Sequence, residues 1–182
     1  MDSQLEKLTT SIRAQTVQVS DLAGSMSDRA FLQRPDPKKW SMAEHVAHLS
    51  LVNEPYLNAM QGALQDGRAR GLTGAGPFKG KWFAARFIRS WEPPPRWRLK
   101  TFKEMKPAPY LNTVTVLSDF EAVQEKFVRT AADADGLDLG KIKFRSPFMR
   151  LMGFALLQGF ELLEIHNRRH IWHLQRTAEM LP

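Results

Sequence analysis

The sequence predicts an all-α fold: a four-helix bundle with a long connection between the second and third helices. Three observations carry that expectation. Apolar residues recur with helical period in four long stretches, and two of these open on a capping-box signature. All five histidines fall on two of the four stretches, the second and the fourth. No pair of alternating segments reads as a convincing strand pair.

The first helix is expected from about Ser3 to Leu22, with Leu5, Leu8, Ile12, Val17 and Leu22 along its apolar side. Residues 24–39 hold Pro35 and Pro37 and read as a connection. The second helix opens at Ser41, with Glu44 three residues on, and runs past Val46, Leu49, Val52 and Leu57 to about Gln61. Pro55 lies inside that pattern and is expected to kink or divide it. Residues 62–80 are glycine-rich and read as a loop, and residues 81–91 as a short amphipathic helix stopped by Pro93-Pro94-Pro95. A third helix is expected from Ser118, with Phe120, Val123 and Phe127 buried, while residues 113–117 are compatible with extended chain. The fourth is expected from about Met149 to Met180. The whole chain, residues 1–182, reads as one domain, with residues 62–112 a basic, aromatic, Pro- and Gly-rich excursion.

Composition removes several kinds of chemistry. There is no cysteine, hence no disulfide, no thiolate ligand and no cysteine nucleophile. No Gly-x-Ser-x-Gly elbow is present. The aspartate cluster at residues 133–136 lacks the twelfth-position glutamate of a calcium loop. No apolar run is long enough to span a membrane, and the N-terminus carries no apolar signal core. The expectation is a cytoplasmic protein without a membrane partner. The formal charge of +7 is concentrated between Lys79 and Lys106, where nine bases face two acids and interleave with Trp82, Phe83, Phe87, Trp91, Trp97 and Phe102. With no nucleic-acid motif there, the segment is expected to pack on the bundle and to bind no specific nucleic acid.

The histidines carry the chemistry. His166, His170 and His173 lie on one helical stripe, since residues three, four and seven apart return to the same face. Either His166/His170 or His170/His173 can chelate one ion, and spacing does not choose between them. His45 or His48 on the second helix can supply a third imidazole. Three neutral imidazoles leave room for water or substrate, the pattern of a catalytic site.

Trp40-Ser41-x-x-Glu44-x-x-x-His48-Leu49, then Glu54, then His166-x-x-Arg169-His170-x-x-x-x-Gln175 resembles the DinB/YfiT-like superfamily. The resemblance covers both ends of the chain and is weak across residues 62–112. It implies a four-helix bundle with one divalent metal ion (zinc, nickel or iron) on His48, His166 and His170, and makes His45 and His173 neighbours. Glu44, one turn before His48, is a candidate partner for that ring's second nitrogen. The resemblance also implies a metal-dependent transferase acting with a low-molecular-weight thiol and an electrophilic small molecule. A metal-dependent hydrolase and a non-catalytic metal-binding stress or interaction protein are the alternatives. A homodimer is open to such a chain.

Overall fold

Side-chain caps set the N-terminal ends of four of the helices. In the computed structural model, which describes residues 1–95, 101–149 and 151–181, six α-helices and one small hairpin follow in chain order. Helix α1 (Ser3–Gly24) starts where the Asp2 carboxylate accepts from Gln4 N–H. Helix α2 (Asp28–Leu32) is a single capped turn from Ser27 inside the expected connection. Helix α3 (Met42–Ala69) opens on the expected capping box, with Ser41 Oγ accepting from Glu44 N–H and the Glu44 side chain accepting from Ser41 N–H. It runs eight residues beyond the expected end, and Pro55 does not divide it. A proline removes one donor and one turn's hydrogen bond, and burial of Val52, Tyr56, Leu57 and Met60 around it outweighs that loss.

Helix α4 (Trp82–Arg89) lies where the expected short amphipathic helix was placed. A short 3-10 turn follows at Lys103–Met105. Arg96, Trp97, Arg98 and Lys100 of the basic stretch lie outside the described residues. Helix α5 (Thr113–Asp133) begins five residues before Ser118, because Asn112 Oδ1 accepts from Thr115 N–H and provides an earlier cap. Residues 113–117 are therefore helical, not extended. Strands β1 (Lys143–Arg145) and β2 (Gly153–Ala155) pair antiparallel, with Phe144 opposite Phe154. The hairpin occupies the start expected for the fourth helix, so α6 runs only Leu156–Ala178.

Helices α1, α3, α5 and α6 form the bundle, with α3 and α1 each packing on both α5 and α6. Helix α4 lies on α6. The apolar interior comes in two parts. One is built around Leu57, Met60, Phe127, Phe160 and Leu163, the other around Phe31, Met42, Leu49, Phe120 and Leu174. A belt of buried polar side chains separates them along α3, α5 and α6: His48, Asn53, Gln124, His166, Asn167 and His170. Asn53 Nδ2 donates to Asn167 Oδ1, and Asn167 Nδ2 donates to Gln124 Oε1, each at 2.8 Å. The histidines thus sit where the apolar core is interrupted.

Candidate metal centre

Two helix faces meet at the centre. One nitrogen from each of His48, His166 and His170 lies within 4.8 Å of the others, and all three residues are buried. Ring centroids are 4.6 Å apart for His48 and His170, 4.7 Å for His166 and His170, and 5.2 Å for His48 and His166. Three points so placed are at most about 2.8 Å from a common centre, against ~2.0–2.1 Å for a zinc–imidazole bond. Small ring rotations close that difference.

The remaining nitrogens decide which lone pairs are free. His48 Nδ1 lies 2.7 Å from the Met105 carbonyl oxygen. A carbonyl only accepts, so Nδ1 carries the proton and Nε2 keeps its lone pair. His170 Nδ1 lies 3.0 Å from His45 Nδ1. With His170 Nε2 turned to a cation, its Nδ1–H donates to His45. His166 Nδ1 is buried and has no hydrogen-bond partner among the described residues. A buried nitrogen without a partner costs stability unless something else occupies it.

The rings are held neutral. Burial is the largest cause for all five, pushing His48 below the ordinary imidazole value and His166 and His170 well below it. His45 falls to about 3 and His173 to about 4. Neighbouring rings act in the same direction on His45, His166 and His170, and the Arg169 guanidinium does so on His166 and His173. Neutral imidazole is the form that ligates a metal. Donor set, buried lone pairs and orphaned His166 Nδ1 together fit a divalent cation of the zinc, nickel or iron type.

Aromatic rings wall the centre. Trp40 lies against His45, His48 and His170, with centroids 5.3, 5.1 and 6.3 Å away. Trp91, just past α4, meets His166 edge-on at 5.7 Å. The buried Arg169 guanidinium stands 5.2 Å over Trp91. The basic excursion therefore packs on the bundle through Trp91 and through Met105, and its described parts form one side of the centre. Its docking is fixed by Arg168, which pairs with Glu92 at 2.7 Å and with Glu164 at 2.9 Å.

His45 and His173 stand beside the trio and engage each other, stacked at 5.2 Å with planes 4° apart. Glu44 is not the partner of His48. Its carboxylate is taken by Arg34, whose Nε donates at 2.8 Å, and by the α3 cap. The Met105 carbonyl takes that role, from fifty-seven residues away in the chain. Glu54 is exposed, with Lys126 Nζ at 3.7 Å. Met105 had no local signal in the sequence; Trp91 stood among the aromatics expected to pack on the bundle and Arg169 in the family motif, but neither was assigned to the centre.

The profile of the DinB superfamily matches residues 12–174. The chain belongs to the DinB superfamily. Its all-α fold and its three-histidine cluster agree with that membership. No curated protein and no solved structure matches the chain. No helix among the described residues is long and apolar enough to cross a membrane.

Proposed function

We propose that this DinB superfamily member is a metal-dependent transferase that takes its sulfur nucleophile from a low-molecular-weight thiol, with His48, His166 and His170 holding one divalent ion. The observation that carries the reading is the convergence of three buried, neutral imidazoles in a chain with no thiol of its own. When bound, such an ion lowers the pKa of a coordinated thiol and makes thiolate available at neutral pH. The protein's own groups do the rest. Met105 C=O fixes the His48 tautomer so that this ring presents Nε2, and His45 Nδ1 is placed to accept from His170 Nδ1–H when His170 Nε2 holds the ion. Trp40 and Trp91 exclude water from two sides. Arg169 adds a fixed positive charge beside His166, suited to the carboxylate of a thiol cosubstrate or to charge building on a leaving group.

Elemental analysis of protein purified without a histidine tag, followed by turnover assays with a thiol and an electrophile, tests the proposal. We expect about one equivalent of divalent metal and metal-dependent, thiol-dependent consumption of the electrophile. Hydrolysis without thiol would replace the reading with a hydrolase. A loaded protein inert toward both would make it a non-catalytic metal-binding module, and a metal-free protein would remove every catalytic reading.

A further inference from the structure

We propose that the face formed by α4 and the tip of the β1–β2 hairpin docks on an anionic lipid surface. Large apolar side chains from two distant parts of the chain protrude there together. Leu151 at the hairpin tip is 104 % exposed, Trp82 76 % and Phe83 51 %. Phe83, Met149, Leu151, Met152, Gly153 and Lys81 line one cavity of about 480 Å³ between the two elements. Nothing in the bundle accounts for these side chains, since α4 already buries Ala84 and Ile88 on its inner side.

Five bases border this face, and the nearby Asp138 carboxylate is taken by Lys141. Lys79, Lys81 and Arg86 stand on or beside α4. Lys143 and Arg145 point outward from β1, where Arg145 pairs with the cavity residue Gly153. All five are exposed, and none is in an ion pair among the described residues. No acidic residue occurs between Leu139 and Phe160. Arg89 is left out of this rim because it faces Glu161. Exposed tryptophan and aliphatic tips inside a ring of lysine and arginine are the composition of a surface that sinks into the headgroup layer of an anionic bilayer.

Charge and shape exclude two other occupants. A second copy of this face would set the same five cations against each other across a two-fold axis. A nucleic acid would use the bases but leaves the fully exposed Leu151 unexplained, because an aliphatic tip offers no stacking plane. The sequence expectation of no membrane partner rested on the missing span, and a peripheral contact needs none.

The test is co-sedimentation of the full chain with phosphatidylcholine vesicles, with and without phosphatidylglycerol, at low and raised salt. Wild-type protein should bind only the phosphatidylglycerol vesicles, and less as salt rises. Lys81→Glu/Arg145→Glu should weaken binding more than about tenfold, at roughly fivefold for each basic residue removed. Leu151→Ser and Trp82→Ser should each weaken it about tenfold even at low salt. All these side chains are exposed, so an unchanged circular dichroism spectrum shows that the variants fold. Wild-type protein that ignores phosphatidylglycerol vesicles overturns the proposal. So does binding that the serine variants leave unaltered, or capture of an oligonucleotide or acidic peptide with no vesicle binding.

Discussion

At His170 two demands meet. The ring is common to both chelating pairs that helical spacing allows, and its Nδ1 leans on His45, so it is both the central donor and the one with a histidine behind it. His170→Ala should therefore abolish stoichiometric metal binding. His48→Ala and His166→Ala should each remove much of the affinity. His173→Ala should cost little, since that ring stacks on His45 and meets no ring of the trio more closely than 5.9 Å. His45→Ala should fall between, weakening binding about tenfold or more through loss of the outer-shell acceptor. Titration with zinc or nickel, read by calorimetry, checks the order. Loss of metal in His173→Ala with retention in His166→Ala would mean that the wrong pair was assigned. Much of this was legible: helical spacing marked His170 as common to both pairs, and the resemblance to the family motif, not the spacing, chose His166 over His173 and His48 over His45. The outer shell was not. Met105 reaches His48 only through the tertiary path of the excursion, and Glu44 was diverted by Arg34, whose guanidinium outcompetes a neutral imidazole for a carboxylate.

At the scale of elements, the four long helices were legible from period and caps, and the hairpin was not. Phe144 and Phe154 pair across strands of three residues each, too short for alternation to stand out from loop. The early start of α5 was hidden because Asn112 caps as well as the expected Ser118. Register between α3, α5 and α6 rests on polar groups that no apolar pattern reveals. Asn167 donates to Gln124 and accepts from Asn53, linking three helices in one chain of amides. Replacing Asn167, which is fully buried, with Leu preserves most of the volume and strands Asn53 Nδ2 and Gln124 Oε1 together. Each stranded group costs about 1–3 kcal/mol. Urea unfolding of Asn167→Leu should show a clearly lower midpoint with an unchanged m-value. A midpoint equal to wild type would show that the amide chain contributes nothing to helix register.

For the molecule as a whole, packing five neutral imidazoles, three buried and two half-buried, makes stability depend on pH in a defined direction. Every one of them has a folded-state pKa below the ordinary value of ~6.5, with burial the largest cause in each case. Below pH ~6.5 the unfolded chain takes up protons that the folded chain refuses, so stability falls as pH falls. Each imidazole that stays neutral in the fold contributes up to about 1.4 kcal/mol per pH unit to that slope. Glu161 opposes it, because burial raises its carboxyl pKa and the fold protonates first there. Glu44 acts only lower down, since its lowered pKa gives stability that is lost as pH falls below its ordinary ~4.5. One carboxyl against five rings leaves the net sign acid-labile between pH ~6.5 and ~4.5. The metal-free protein, held in chelator, should thus melt at progressively lower temperature across that window. A divalent ion binds only the folded form and adds stability by mass action. Because the folded rings already resist protonation, release of the ion should come well below pH 6.5 and coincide with unfolding. Thermal melts with and without zinc at pH 7.5, 6.5 and 5.5 decide the matter. A chelated protein with the same melting temperature at all three would show that the rings titrate normally in the fold, and that the centre is open to water and not sealed by Trp40 and Trp91.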